Sequence, residues 1–363
     1  MAKKKVQTRG KGNKKNKEKG DDKFPKIGGQ AVIEGIMMKS GNSYSVAVRT
    51  PSGQVDVTLE EYDSFTPSKI LLKIPFIRGI FSFIDSMILG IRTLNYSASF
   101  YEEAPKYRAD GTRESTKPKF FERLFGDSSE KILSFFTVLI SLAFAIMLFM
   151  IAPYYLSQLF RMVIVNETVI TIIEGILRVA IFIAYVVVIS SMKDIKRVYK
   201  YHAAEHKCIN CLESGRVITV ENVRKASRLH KRCGTSFMFF VVFVSIILFM
   251  FIREDNPVMR LVMRLLLLPV IAGISYEIIS LAGATNFFLF NILSWPGLML
   301  QKLTTCELDG CGKKKSTPDE NGRYADDDII EVAIAAVDAV YDWKKYLIKV
   351  HKYEEAELEK YKL

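Results

Sequence analysis

The sequence has little histidine and cysteine, and it lacks two widespread signatures. Only four histidines and five cysteines occur among its 363 residues. No apolar h-region accompanies the lysine-rich start, so no secretory signal peptide is expected. The glycine-rich segment 28–38 has no Gly-Lys-Ser/Thr and is not a phosphate-binding loop. The cysteines fall in segments expected to face the cytosol, which predicts reduced thiols or metal ligands rather than disulfides.

What the sequence has in abundance is long apolar runs. Apolar residues make up 49% of the chain, and a run of about 18–20 of them is long enough to cross a bilayer. Four such runs predict four transmembrane helices, of which the second contains Glu174 and Arg178 and the fourth contains Glu277. Because ionisable groups are costly in lipid, these three residues are functional candidates. The predicted spans are 132–156, 169–192, 235–252 and 265–284.

The positive charge predicts the orientation of these spans. The net charge is +12, with eleven Lys/Arg in residues 1–26 and eleven in residues 193–234. Short Lys/Arg-rich segments stay on the cytoplasmic side. The sequence therefore predicts a multi-pass protein of the cell membrane with cytoplasmic N- and C-termini. The tail is expected either to attract anionic membrane lipids or to be a solvated arm, with no specific nucleic-acid partner.

The predicted fold is an α-helical polytopic membrane protein with a small cytosolic α+β portion. Alternating apolar runs at 44–49 and 55–59, on either side of Pro-Ser-Gly-Gln, predict a β-hairpin. In residues 76–94, Arg78, Asp85 and Arg92 recur every seven residues and form one charged stripe on a helix. That stripe favours a helix lying in the membrane interface, and the alternative is a buried helix with a solvated edge.

The chain after the fourth predicted span has two further features. The uncharged segment 287–301 contains Trp-Pro-Gly and is expected to be re-entrant or interfacial, whereas 327–341 predicts an amphipathic helix with acids in its first turn. The predicted domains are a disordered basic tail (1–26), a cytosolic α+β and interfacial region (27–130), the four-helix membrane region with its metal-motif loop 193–234 (131–284), an interfacial segment with a cytosolic helix (285–345), and a charged tail (346–363).

The basic loop contains the candidate site. His202, Glu205 and His206 form His-x-x-Glu-His, which on a helix places both imidazoles on one face. This is the inverted form of the zinc-protease motif, in which the carboxylate takes a proton from water at the metal. We therefore expect His202 and His206 to bind one zinc or other divalent ion, with Glu205 as the general base. Thr219 predicts the start of a helix to about residue 231, so that His230 and Cys233 complete or flank the ligand shell.

The same loop admits a different metal site. Cys208 and Cys211 are followed, after 18 residues, by His230 and Cys233. That spacing is typical of a closed structural zinc site with three cysteines and one histidine. On one helix Cys208 and Cys211 face away from His202, so a single ion does not readily use both sets.

Four motifs together resemble the YqhQ-like bacterial membrane proteins. They are residues 28–38, 202–206, 230–235 and 269–277, and the resemblance extends from about residue 27 to 341. It implies a membrane protein described as a predicted metal-dependent enzyme. Cys208 and Cys211 do not belong to that family pattern, which disfavours the closed four-ligand site.

Three hypotheses follow for the function. The first is a zinc-dependent hydrolase at the cytosolic membrane face, acting on an amphiphilic or peptide substrate. The second is a non-enzymatic membrane scaffold or assembly factor with a structural metal in the loop. The third is a transporter that uses Glu174, Arg178 and Glu277.

Overall fold

The structure is a computed structural model that describes residues 6–8, 24–66, 70–101, 129–252, 254, 256–284, 288–309 and 317–361. It divides the chain into two compact units. Unit 1 comprises Met1–Tyr101, Val187–Val241 and Ala272–Leu363. Unit 2 comprises Glu102–Val186 and Val242–Ile271. The rest of the predicted basic tail, apart from 6–8 and 24–26, lies outside the described residues.

The described chain is mostly helical, with one sheet. The strands are β1 Val6–Thr8, β2 Gly28–Val32, β3 Gly35–Ser40, β4 Ser43–Arg49 and β5 Val55–Glu61. The helices are α1 Ile77–Ala98, α2 Ser129–Ile146, α3 Ala152–Gln158, α4 Glu167–Ser191, α5 Lys193–Glu213, α6 Val220–Lys225, α7 Gly234–Phe249, α8 Pro257–Ala284, α9 Phe288–Thr304, α10 Asp327–Val340, α11 Trp343–His351 and α12 Glu355–Glu359. A π-helical turn, Met147–Ile151, joins α2 to α3.

The sheet of unit 1 has the strand order β1-β5-β4-β3-β2. Strands β2 to β5 form an antiparallel meander, and β1 pairs parallel to β5. The predicted hairpin at 44–49 and 55–59 is confirmed as β4 and β5. The glycine-rich segment 28–38 forms β2 and β3, joined by a tight turn in which Glu34 has a φ of 49°.

Side-chain alternation along β4 explains why the sheet is covered on both faces. Ala47 joins a core with α5 and α10, and Ser45 donates to the Ala336 carbonyl of α10 at 2.6 Å. Tyr44, Val46 and Val48 point the other way, into a smaller cluster with Leu89 of α1. Because alternate residues of a strand face opposite sides, one strand serves both cores. The sheet is therefore the middle layer between α1 and the pair α5 and α10.

The charged stripe of α1 contacts protein groups within unit 1. Arg78 forms a two-point ion pair with Glu277, at 2.8 and 2.5 Å. Asp85 is buried and accepts from the Phe65 backbone N–H at 2.8 Å. The opposite side of the helix leaves large apolar side chains exposed, namely Phe83, Met87, Ile88, Ile91 and Leu94. This pattern is typical of an interfacial helix, and the placement of α1 at a membrane stays a prediction.

The C-terminal amphipathic helix is confirmed as α10, which is central to the larger core of unit 1. Ile329, Ile330, Ala333 and Val337 are almost fully buried. Its first turn contains the acid Asp327, as the helix dipole favours. The helix thus contributes its whole apolar face to a core shared with the sheet and α5.

Three helical segments are long and apolar enough to cross a membrane: Phe136–Met162, Glu167–Ser191 and Pro257–Gly283. They correspond to the first, second and fourth predicted spans. The third predicted span is α7, a shorter apolar helix of 16 residues. Most of the segment 287–301 lies in the continuous helix α9, with Pro296 inside it. Its placement as a re-entrant or interfacial segment stays a prediction.

Candidate metal centre

Helix α5 brings the two motif histidines together with Cys233. His202 and His206 lie one turn apart, with ring centroids separated by 4.3 Å. The Nε2 atom of His202 is 3.2 Å from the Sγ atom of Cys233. One ligand atom from each of the three residues lies within 4.8 Å of the other two. The predicted convergence of both histidines is thus present, and Cys233 is the third member.

Backbone carbonyls fix the orientation of both imidazoles. The Nδ1 atom of His202 is 2.9 Å from the Thr304 carbonyl, and that of His206 is 2.7 Å from the Arg228 carbonyl. Because a carbonyl only accepts, each Nδ1 bears the hydrogen and each neutral ring has its lone pair on Nε2. Metal-binding histidines are held in this way by outer hydrogen bonds. In each ring Nε2 is therefore the nitrogen placed to donate a lone pair to a metal.

One separation within this group is close to what a small divalent ion requires, and all three ligand atoms lie within 4.8 Å of one another. Zinc binds nitrogen at about 2.0–2.1 Å and sulfur at about 2.3 Å, so tetrahedral ligand atoms lie roughly 3.3–3.8 Å apart. The measured separation of 3.2 Å between His202 Nε2 and Cys233 Sγ is close to that range. The backbone N–H of Thr235 donates to Cys233 Sγ at 3.4 Å, which orients the sulfur. The donor set of two imidazoles and one thiol is one that zinc prefers.

Glu205 lies beside this group and is almost completely buried. Its Oε2 atom is 3.5 Å from His206 Nε2. Burial raises the pKa of Glu205, although the nearby His202 and His230 act in the opposite direction. A Cβ atom added to Gly29 of β2 would lie 2.8 Å from Glu205 Cγ. The carboxyl group is therefore positioned by close backbone packing and is available as a proton carrier next to the ligand group.

His230 has the flanking position, one of the two that the sequence left open for it. Its Nε2 atom is 3.3 Å from Glu213 Oε1, and its ring centroid is 5.8 Å from that of His206. The Gln301 side chain accepts from the backbone N–H of His230 at 2.9 Å and donates to its carbonyl at 2.7 Å. The three-residue ligand group does not include His230, which flanks it.

The connection before His230 is an irregular loop rather than the helix expected to reach residue 231. Thr219 does cap a helix, since its side chain accepts from the Asn222 backbone N–H, but α6 ends at Lys225. The following carbonyls are bound by side chains of α5. Lys207 donates to the carbonyls of residues 224 and 226, and Asn210 donates to those of 227 and 229. These side chains bind the carbonyls of a segment that is not helical, because residues 226–233 are turns and irregular chain. His230 and Cys233 therefore do not share a helix face.

Cys208 and Cys211 are on the other side of α5. Both are buried in the apolar core with the sheet and α10. Burial raises the pKa of Cys208 well above its ordinary value and that of Cys211 to about 12. Neither belongs to the ligand group with His202. The closed three-cysteine site is therefore not assembled in this structure.

Sequence reasoning missed the contribution of the glycine-rich segment. Glu34, in its tight turn, accepts two hydrogen bonds from Arg197, both of 2.8 Å, and one from the Tyr201 hydroxyl at 3.0 Å. These contacts fix the first half of α5, just before His202. The signal was the motif at 28–38, in which Gly29 packs against Glu205 and Glu34 holds the start of the helix.

Comparisons with known proteins agree with these motifs. The family model described as "Protein of unknown function (DUF1385)" matches residues 74–312. The chain is 35% identical over 284 residues to "Uncharacterized protein YqhQ" of Bacillus subtilis (strain 168), and the alignment covers 78% of this chain and 87% of that protein. No solved structure matches the chain.

Proposed function

The chain belongs to the YqhQ-like family, described as DUF1385, and we propose that it is a metal-dependent hydrolase, with zinc as the metal, at the cytosolic face of the cell membrane. The observation that supports this most is the convergence of His202, His206 and Cys233 within 4.8 Å, with both histidine rings oriented by carbonyls. Three protein ligands leave a fourth position for water or substrate, as in catalytic zinc sites.

The residues have distinct roles in this proposal. His202 and His206 hold the ion through Nε2, and Cys233 holds it through Sγ. When bound, the ion would supply Lewis acidity and would lower the pKa of a water molecule. Glu205, whose carboxyl lies beside His206, accepts the proton of the attacking water and returns it to the leaving group. The substrate is an amphiphile or a peptide presented at the membrane surface.

The membrane topology is part of the proposal. Residues from the sheet, α5 and α10, such as Met38, Ile209 and Ile330, belong to one apolar core. Segments that share a water-surrounded core lie on the same side of the membrane, so an even number of crossings separates them. Two candidate spans lie between the sheet and α5, but only one lies between α5 and α10. A second membrane crossing is therefore needed between α5 and α10.

Helix α7 supplies that crossing best. It has 16 residues without a charge, followed by further apolar residues, whereas α9 contains Pro296 and the buried polar Gln301. With α7 included, four spans and the positive-inside rule put both termini and the metal centre in the cytoplasm. Fusions test this arrangement. A C-terminal green fluorescent protein should fluoresce and a C-terminal alkaline phosphatase should be inactive, and the reverse pattern would refute four spans.

Cobalt substitution tests the metal site directly. Purified full-length protein, stripped and reloaded with Co²⁺, should show tetrahedral visible bands and a thiolate charge-transfer band. Cys233→Ser should remove the charge-transfer band, and His202→Ala should abolish stoichiometric binding. Glu205→Gln should keep the metal but lose hydrolysis of a generic ester or phosphodiester probe. Full activity in Glu205→Gln would exclude its role as the base.

A scaffold with a structural metal is the second candidate, and burial of the cluster favours it. His206 and Cys233 are 1% and 7% exposed, and Gly29 packs tightly over Glu205. Azide separates the two candidates, because it shifts the Co²⁺ bands only when a coordination position is open. Unshifted bands together with no hydrolysis would favour the scaffold.

The transporter hypothesis has no comparable support. Glu277 is paired with Arg78, whereas Glu174 is paired with Arg178 and Arg264. Of the three residues proposed from the sequence, Glu174 and Arg178 pair with each other, whereas Glu277 pairs with a different arginine, and a transport role stays a prediction.

A further inference from the structure

We propose that unit 2 contains a phosphate-binding site, formed by Arg260 and Arg264 beside Tyr154, that binds the anionic headgroup of a membrane phospholipid. The site shares no residue with the metal centre, so it stands or falls independently of the hydrolase proposal. It rests on a charge imbalance among buried side chains and on a cavity next to them.

The imbalance arises because one carboxylate serves two guanidinium groups. Glu174 accepts from Arg178 at 2.6 Å and from Arg264 at 2.7 and 2.9 Å. All three side chains are at least nine-tenths buried. Among the described residues, one acid and two arginines leave one positive charge over. Burying an uncompensated charge is costly, so the cluster favours a further anion.

Two observations locate where that anion would bind. The Nε atom of Arg264 is buried and has no hydrogen-bond partner among the described residues. Arg264 also lines a cavity of about 210 Å³ together with Arg260, Tyr154 and Tyr155. Arg260 donates to the Glu254 carbonyl at 2.6 Å and lies 4.9 Å from the Tyr154 ring centroid, and no carboxylate is paired with it in the part of the chain described.

The chemistry of the cavity fits a phosphate group. Guanidinium groups bind phosphate oxygens through paired N–H donors, and a phenolic hydroxyl such as that of Tyr154 adds another donor. The volume is below the roughly 300–1,000 Å³ of drug-sized pockets, so it suits a headgroup rather than a whole nucleotide.

The surroundings of the cavity indicate a lipid as the source. Cavity-lining Val258 and Tyr155 are exposed, as are the neighbouring Met259 and Leu266. In a bilayer these side chains would contact acyl chains while the headgroup reaches the arginines. A free phosphate ion offers the same oxygens but no acyl chains for this apolar rim.

Native mass spectrometry of the full-length protein in phosphatidylcholine nanodiscs, with phosphatidylglycerol added, tests the proposal. Arg260→Gln is the first variant, because Arg260 lines the cavity but is outside the buried ion-pair cluster. Arg264→Lys is the second, because it keeps the charge and removes the Nε donor. Arg161→Gln is the matched control, since Arg161 pairs with Glu167 at the surface of the same unit.

We expect retained phosphatidylglycerol to fall at least tenfold in Arg260→Gln and severalfold in Arg264→Lys, with Arg161→Gln unchanged and all melting temperatures similar. Equal retention in all variants, or an equal loss in the control, would overturn the proposal. Inorganic phosphate added at millimolar concentration separates the sources. Failure to displace the lipid supports a lipid site, whereas phosphate binding without any lipid preference refutes the lipid assignment.

Discussion

The two buried clusters of this protein are opposites. The group around His202, His206 and Cys233 offers lone pairs from atoms that lie within 4.8 Å of one another. The group around Glu174 has two guanidinium cations and one carboxylate. Buried polar groups normally have a partner of complementary charge. The lone pairs or the excess charge of each cluster therefore indicate which class of ligand it binds. The first cluster predicts a metal ion, and the second predicts an anion.

The largest expected effect comes from disrupting the second cluster, the ion pairs around Glu174. Glu174→Gln leaves Arg178 and Arg264 buried without a counter-charge and should lower the free energy of unfolding by about 3–5 kcal/mol. Thermal unfolding in detergent measures this. Glu167→Gln is the control, because its pair with Arg161 is exposed and should contribute only about 0–1 kcal/mol. Comparable losses in both variants would mean that the buried ion pairs stabilise the protein no more than the exposed pair does.

Loss of a metal ligand should have the next largest effect. His202→Ala should weaken zinc binding at least about 100-fold, because even outer-shell partners of a ligand contribute about 10–100-fold. Competition with a chromogenic chelator gives the affinity. His351→Ala is the matched control, since it removes the one histidine outside the loop. If both variants bind zinc like the parent, the first cluster is not a metal site.

Two adjacent glycines offer a test of the geometry of the first cluster, the group around His202. In Gly29→Ala the new methyl group would lie 2.8 Å from Glu205 Cγ and from Met38 Sδ, whereas in Gly28→Ala it meets nothing within 4 Å. Gly29→Ala should therefore destabilise unit 1 by about 1–3 kcal/mol and alter the Co²⁺ spectrum. Gly28→Ala should leave both unchanged. A harmless Gly29→Ala would show that β2 does not position Glu205.

The smallest effect concerns the attachment of α5 and depends on pH. Burial acts to raise the pKa of Glu34, but hydrogen bonds and charge from Arg197, with the Tyr201 hydroxyl, hold it below its ordinary value of 4.5. The stabilisation is therefore present above pH 4.5 and is lost as the pH falls through the lower folded-state pKa. At pH 7, Glu34→Gln should cost about 1–2 kcal/mol, because Arg197 is partly exposed.

Urea unfolding of the parent and of Glu34→Gln at several pH values measures that effect. The two curves should converge in acid, whereas Glu221→Gln, which removes an exposed i, i+4 partner of Lys225, should track the parent at every pH. A difference that persists undiminished at pH 3 would rule out ionised Glu34 as its source.

Periodicity made much of the fold predictable. The apolar runs located the helices, the alternation at 44–49 located the hairpin, and the spacing of His202 and His206 placed both rings on one face. These features depend on residues that are close in sequence. The choice between His230 and Cys233 was not predictable, because it depends on carbonyls of a loop being held by Lys207 and Asn210.

Contacts between residues far apart in sequence were also not predictable. The approach of Gly29 to Glu205 joins residues far apart in the chain, and no local pattern marks it. The same is true of Arg264, which pairs with Glu174 across 90 positions. Glu174 and Arg178 alone, at i, i+4 spacing, have no net charge, and the distant Arg264 makes the described cluster cationic.

The shared core of unit 1 also fixes when the protein can mature. The apolar face of the sheet and that of α5 are completed by α10, in which Ile329, Ile330 and Ala333 are fully buried. Synthesis therefore delivers the strands and the histidine helix long before the helix that closes over them. Until α10 is synthesised, the apolar faces of the sheet and of α5 stay uncovered, so the core of unit 1 is complete only after that helix leaves the ribosome.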